Sequence, residues 1–232
     1  MDFTPEGPKA IPLWIDGRAY LTVTDTFFDV VSPTSGEAIR RVPLGGADEA
    51  ATAVAAARRA RPVWTALAPA ERGALLVALA DGLERYAGHF AKLLREECGG
   101  DEAAASGEVA EAIASLRAGP EGNGVLAGLV VDASRPLAGF AAIAAPMLRG
   151  GSVLVAKPSP RAPGAVLALC ELTSRTGWPA GVVNVVHGDA AAISGLCAAG
   201  IERLSYSGEA ALGQQVAAIA TAAGVPCEIQ VR

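Results

Sequence analysis

Beyond residue 120 the sequence alternates short apolar runs with stretches of helical periodicity, and no other feature restricts the possible folds as strongly. The runs lie at Val125–Val131, Ser152–Ala156, Val182–Val186, Arg203–Tyr206 and Cys227–Val231. Residues 137–149, 162–175, 189–199 and 209–223 separate them and read as helices. Strands that are apolar throughout are buried on both faces, and connections of this length cross over rather than fold straight back. The pattern predicts an α/β fold: a doubly wound, parallel, five-stranded sheet.

The first 120 residues follow a different grammar. Residues 1–10 carry Pro, Gly and Lys and read as a loose arm. Leu13-Trp14-Ile15 and Tyr20-Leu21-Thr22-Val23 flank Asp16-Gly17, a dipeptide that favours tight hairpin turns. Phe28–Val31 and Glu37–Val42 bracket Ser32-Pro33-Thr34-Ser35-Gly36, which gives a second predicted hairpin. Helical spacing then takes over. Asp48 is placed to cap a helix through about Arg61, and Pro69 opens another that carries Leu75, Leu76, Leu79, Leu83 and Tyr86. Residues 87–99 and 107–117 read as two more helices, separated by Gly99-Gly100. The expected organisation is an arm, hairpins and helical layer over 1–120 and the sheet over 121–232, packed as one compact unit.

Composition excludes several functions. The 232 residues carry 19 Lys+Arg against 24 Asp+Glu, a net charge of −5, without a basic run that would attract nucleic-acid phosphates. The longest apolar stretch, Leu137 to Leu148, is well short of the ~20 residues that span a bilayer. Met1 to Glu6 is acidic and broken by proline, unlike a secretory leader, so a cytoplasmic location is expected. Cys98, Cys170, Cys197 and Cys227 form no C-x-x-C pair, and His89 and His187 are the only histidines, so no metal site is expected. The spread of the thiols fits a reducing compartment, with all four as small buried hydrophobes.

Two glycine-rich segments lack the context their chemistry needs. Gly122-Asn123-Gly124-Val125-Leu126-Ala127 matches a dinucleotide fingerprint but precedes the first predicted sheet strand instead of linking strand to helix. Gly208 to Gly213 has the glycine spacing of a P-loop, but Gln214-Gln215 follow where Lys and Ser or Thr are needed.

A resemblance to the aldehyde dehydrogenase superfamily covers nearly everything from Pro12 onward. Gly177-Trp178-Pro179-Ala180-Gly181-Val182-Val183-Asn184-Val185-Val186-His187-Gly188 closely resembles that family's "G-x-P-x-G-V-x-N-V-V-x-G" run. Leu154 to Ser159 is similar to "V-x-K-P-S-E", and Leu204 to Gly208 with Gly213 is similar to "F-T-G-S-x-x-x-G". Ser32 to Glu37 resembles "N-P-A-T-G-E", and Trp64 with Pro69 to Arg72 resembles the "W…P-x-x-R" entry to the first long helix. The family oxidises aldehydes with NAD(P)⁺, using a cysteine nucleophile, an oxyanion-stabilising asparagine and a glutamate base. The resemblance implies that the sheet is Rossmann-like and that a dinucleotide lies against Val130, Lys157, Ser159, Gly188, Ser207, Gly208 and Leu212.

Departures from the family pattern point to a degenerate member, matching the amino-terminal, cofactor-domain half and lacking the domain that bears the nucleophile. None of the four cysteines matches the nucleophile's position. The "P-W-N-F-P" run is Asp132-Ala133-Ser134-Arg135-Pro136 here, so Ser134 replaces the oxyanion asparagine. Gln230 stands where the base would be, and an amide takes no proton at neutral pH. No catalytic residue is therefore expected. At the cofactor site Pro160 replaces a glutamate that shares the ribose hydroxyls with Lys157, and Glu209 replaces a small serine at the start of a helix. A carboxylate there would supply the anion that the helix start otherwise takes from a ligand, so NAD or NADP binding is expected to be weak. Only Ala118 to Gly124 separates the fourth helix from the sheet, where family members carry an oligomerising hairpin.

These readings predict a chain that is inactive alone and serves as a structural or interaction subunit, as a homo-oligomer or beside a complete aldehyde dehydrogenase. The alternatives are a half-enzyme completed by another chain and an adenine-nucleotide-binding module.

Overall fold

The computed structural model describes residues 8–22, 24, 26–119 and 122–231. Most of the arm (residues 1–7), Val23 and Pro120 lie outside them. Lys9 and Ala10 are not loose: the Lys9 carbonyl accepts from the Arg41 amide, and Ala10 bridges to Arg41.

Two short strands, β1 (Leu13–Ile15) and β2 (Arg18–Tyr20), form the first hairpin. Asp16 and Gly17 both have positive φ (57° and 72°), the turn geometry whose twist matches a two-residue hairpin. The second hairpin pairs β3 (Phe27–Val31) with β4 (Ala38–Pro43) as a separate two-stranded sheet. Four helices follow: α1 (Ala47–Ala66), α2 (Pro69–Arg85), α3 (Ala87–Cys98) and α4 (Glu102–Arg117). Gly46, rather than Asp48, is the cap residue of α1, and Glu49 turns back to accept the Gly46 amide. The fourth helix starts five residues before the predicted Gly107, because the Asp101 side chain accepts the Ala104 amide and stabilises a first turn of small residues.

The remaining elements alternate as expected: β5 (Leu126–Val131), α5 (Pro136–Arg149), β6 (Val153–Pro158), α6 (Gly164–Thr173), β7 (Val183–Val185), α7 (Ala190–Ala198), β8 (Arg203–Gly208), α8 (Ala210–Ala222) and β9 (Cys227–Val231). The five strands are parallel in the order β7-β6-β5-β8-β9, the doubly wound arrangement. The sheet has seven strands rather than five. The first hairpin adds to its edge as β2-β1-β7, with β1 antiparallel to β7. Leu13, Trp14 and Ile15 are buried there and cover an edge that β7 would otherwise expose. Asn184, buried in β7, fixes the junction: its side chain accepts the Asp16 amide and donates to the Gly181 and Leu154 carbonyls.

The helix α1 packs against β6 and α7, whereas α2, α3 and α4 build an outer layer on α5 and α6. One joint ties these layers together. Trp64 of α1 stacks on Trp178, with ring centroids 4.8 Å apart and planes 18° from parallel. The Trp64 indole donates to the Leu148 carbonyl at the end of α5, and the Trp178 indole donates to the Leu75 carbonyl in α2. Among the described residues, no single helix is long and apolar enough to cross a membrane.

Candidate functional site

The chain leaves β5 in one direction to build β6 and β7, and returns to the other side of β5 to build β8 and β9. Ligands in such sheets bind beyond the carboxyl ends of the strands, at the point where the order reverses. A groove of ≈ 250 Å³ opens there. Its floor is Val130, Val131 and Asp132 from the end of β5, with Lys157 from β6. Its walls are Ser159 and Pro160 on one side, Gly188 to Ala190 and Ile193 at α7, and Leu212, Gln215, Val216 and Ile219 on α8.

Five of the seven residues assigned to a dinucleotide from sequence thus line one groove: Val130, Lys157, Ser159, Gly188 and Leu212. Lys157 dominates its inner end. The side chain is buried, and its ammonium donates to the Pro158 carbonyl at 3.3 Å. An ammonium has three N–H donors, so the described partners leave donors over for a ligand or water. Burial lowers its pKa to about 8, opposed in part by the nearby Asp189 charge. It therefore remains mainly cationic at neutral pH. His187, just before Gly188, is fully buried with its Nε2 against the Pro12 carbonyl, and burial lowers its pKa to about 4. A neutral Nε2–H tautomer donates in that contact, so His187 ties its strand end to the residue that leads into the first hairpin.

Ser207 and Gly208 do not line the groove. Ser207 is buried with its hydroxyl against Gly139, and that hydroxyl has no hydrogen-bond partner among the described residues. Gly208 has a φ of 149°, and a Cβ added there would overlap the carboxylate of Asp132. The parallel register explains this contact. Val131 pairs with Ser207, so the next residue of each strand, Asp132 and Gly208, come side by side, and the Asp132 amide donates to the Ser207 carbonyl at 3.1 Å.

Both oxygens of that carboxylate are engaged. Asp132 Oδ2 accepts from the Glu209 amide at the start of α8 (2.6 Å) and shares the single Tyr206 hydroxyl proton (3.2 Å) with the Glu209 carbonyl (3.1 Å). Oδ1 accepts from the Ser134 amide (2.9 Å) and the Ser134 hydroxyl (2.5 Å). Burial and then the Asp132 charge raise the Tyr206 pKa, which keeps its phenol a donor. The anion at the start of α8 is thus Asp132, not Glu209. Glu209 is the exposed cap residue, and its side chain makes no capping hydrogen bond.

The other crossover helices are treated alike. Glu108 of α4 accepts the Leu137 and Ala138 amides at the start of α5 (2.9 and 3.2 Å). Glu97 of α3 accepts the Gly164 amide at the start of α6 (2.8 Å), while Arg40 donates to its other oxygen (2.9 Å). Asp189 caps its own helix, α7, through the Ala191 amide (2.9 Å). Burial raises the pKa of Glu97 to about 7 and also raises that of Glu108. Asp132, Asp189, Glu97 and Glu108 are all absent from the site read from sequence. An acid directly after a strand whose parallel neighbour ends in glycine was the available signal for Asp132. Among the described residues, no group of three His, Cys, Asp or Glu side chains could hold a metal ion.

The positions implied for catalysis are scattered. The Ser134 hydroxyl is turned onto Asp132, and Gln230 lies on exposed β9, paired with Ser207. All four thiols have raised pKa values. Burial, followed by the Glu108, Glu97 and Asp132 charges, pushes Cys98 up to about 12, and burial also raises Cys170, Cys197 and Cys227.

Comparison with known proteins gives a consistent picture. The profile described as "Aldehyde dehydrogenase family" matches residues 20–133 and 134–230. The chain is 32% identical over 213 residues to succinate-semialdehyde dehydrogenase [NADP(+)] GabD of Escherichia coli, covering 81% of this chain and 44% of that protein. It is 30% identical over 239 residues to Escherichia coli lactaldehyde dehydrogenase, covering 92% of this chain and 50% of the relative. The crystal structure of Escherichia coli lactaldehyde dehydrogenase superposes with a TM-score of 0.88 at 25% identity, over 97% of this chain and 52% of that one. PnpE in complex with nicotinamide adenine dinucleotide superposes with a TM-score of 0.87 at 29% identity, over 95% and 50%. The chain spans about half the length of the curated relatives it matches.

Proposed function

The chain belongs to the aldehyde dehydrogenase family, and from that premise we propose that it is catalytically inert alone and serves as an interaction subunit, as a homo-oligomer or beside a complete, active relative. The observation that carries this reading is the state of the thiols. The family's chemistry starts from a thiolate, and reactive cysteines have depressed pKa values in electropositive, accessible surroundings. Here burial, reinforced at Cys98 by three nearby carboxylates, favours the neutral thiol at all four positions. Ser134, tied to Asp132, is not free to stabilise an oxyanion. An exposed apolar edge supports a protein partner: Ile229 and Val231 of β9 and Leu212 of α8 are uncovered, and an unpaired edge strand readily pairs with another chain.

The groove favours a second role compatible with the first, adenine-nucleotide binding without redox chemistry. Its buried ammonium and apolar walls suit a ribose and a flat base, and the relative PnpE was solved with nicotinamide adenine dinucleotide.

The test is a spectrophotometric assay of the purified chain with NAD⁺ and NADP⁺ and a panel of short, long and aromatic aldehydes. The expected outcome is no nicotinamide reduction above the blank. Turnover by the wild-type chain overturns inertness, and its loss in the variant with all four cysteines changed to serine would locate the error in the reading of the thiols.

A further inference from the structure

We propose that the groove is a nucleoside site closed to diphosphates, and that Asp132 determines this specificity. The proposal rests on the nucleotide-binding reading above and narrows the ligand to an adenosine-class nucleoside with an unphosphorylated 5′ end.

A diphosphate at this position of the fold is normally held by free amides and the positive end of the helix that follows the fourth sheet strand. Here that helix is α8, and the amide of its cap residue, Glu209, is already bonded to the Asp132 carboxylate. The amide and hydroxyl of Ser134 also hold that carboxylate, and the Tyr206 hydroxyl is shared between it and the Glu209 carbonyl. A phosphate would have to displace a charged group from these hydrogen bonds, or sit beside it as a second anion. Rotation away from the helix would strip the carboxylate of those donors without offering an equivalent set. Gly208 has no side chain to separate the two groups, and the β5–β8 register sets Asp132 there through the backbone.

The rest of the lining is equally unsuited to a diphosphate. Asp189 occupies the start of α7, the other helix bounding the groove. The lining residues include two carboxylates, Asp132 and Asp189, and a single cation, Lys157, which senses the Asp189 charge. The volume of ≈ 250 Å³ falls just below the ~300–1,000 Å³ common for small-molecule pockets. A neutral nucleoside fits these terms: its base lies against Val130, Ile193 and Val216, and its hydroxyls take the remaining Lys157 donors. The fit therefore divides a dinucleotide in two. The adenosine half suits the residues present and the diphosphate does not.

Isothermal titration of adenosine, ADP and NAD⁺ into the wild-type chain and into Asp132→Asn tests this. Asparagine keeps an acceptor for the Glu209 amide and removes the charge. The wild-type chain is expected to bind adenosine at least as tightly as ADP or NAD⁺. In Asp132→Asn, affinity for ADP and NAD⁺ should rise about tenfold while adenosine changes less than about twofold, as expected when one like-charge contact is relieved. Wild-type binding of ADP tenfold tighter than adenosine overturns the proposal, as does an ADP-to-adenosine ratio that Asp132→Asn leaves unchanged. The wild-type ratio decides alone if the variant does not fold. Failure of both proteins to bind any of the three ligands overturns the underlying nucleotide reading, and this proposal with it.

Discussion

Four crossover helices start at the carboxyl edge of the sheet, and each start is capped by a carboxylate, but the caps fall into two regions. Glu97 and Glu108, both buried, reach α6 and α5 from the outer helical layer. Asp132 and Asp189 cap α8 and α7 on the floor and wall of the groove. The local chemistry is the same in both regions. What differs is which other group could compete for the amides. Under the helical layer the capped amides are buried, so losing the cap leaves them unsatisfied, and the cap serves stability while bearing the cost of desolvating a charge. Beside the groove the alternative is an anionic ligand, so the cap decides specificity.

The comparison is sharpest where a cap has no substitute. Glu108→Ala strips two buried amides of their acceptor, and at ~1–3 kcal/mol for each unmet group the chain should lose about 4 kcal/mol of unfolding free energy. Chemical denaturation measures this, and titration should show nucleoside binding by the folded fraction unchanged. A loss below about 1 kcal/mol would break the distinction between the regions.

Glu97 gives a somewhat smaller effect, visible as a pH dependence. Its folded pKa of about 7 lies above the 4.5 of an unperturbed glutamate, so between those values the native state binds more protons than the unfolded state. Its stabilising contribution is therefore complete below about pH 4.5 and lost as pH rises through 7. At about 1.4 kcal/mol per unit, the full difference is at most on the order of 3 kcal/mol. Denaturation at pH 5 and pH 8 should show this slope in the wild-type chain and a flatter one in Glu97→Gln. Identical slopes would mean that the Arg40 contact outweighs burial.

Glu209→Ser should do least. The Glu209 side chain is exposed and its amide is already satisfied by Asp132, so the ratio of ADP to adenosine affinity should move less than about threefold, as for a screened surface charge. A gain matching that of Asp132→Asn would shift the specificity role from the buried carboxylate to the exposed one.

Much of the fold is legible in the sequence because strands buried on both faces are apolar without interruption. Leu126–Val131 and the Val153–Ala156 part of β6 need no partner to be recognised as strands. Partners themselves are another matter. Three-residue β1 carries no periodicity that names β7 as its neighbour, so its place in the main sheet emerges only from tertiary packing. The site divides along the same line. Val130, Lys157 and Gly188 stand at strand ends whose motifs fix their place, and the structure brings them into one groove. Asp132 sits in an equally visible segment, but what it touches depends on the register between β5 and β8, a long-range property. Glu97 and Glu108 are hidden for a further reason. Acids at helical spacing read as a solvated face, and nothing local marks these two as buried.

The stacked indoles of Trp64 and Trp178 also give this chain an optical identity. Two indoles 4.8 Å apart and nearly parallel share their excited states, so their near-ultraviolet dichroism belongs to the pair and vanishes when the rings separate. Trp14, the third tryptophan, sits in β1 outside the stacked pair. The paired signal reports the joint where α1 and α2 meet the end of α5 and the approach to β7, whereas far-ultraviolet dichroism reports total helix and strand. An undocking of the helical layer from an intact sheet would therefore appear as loss of one spectrum with the other preserved, a partial opening visible without any label.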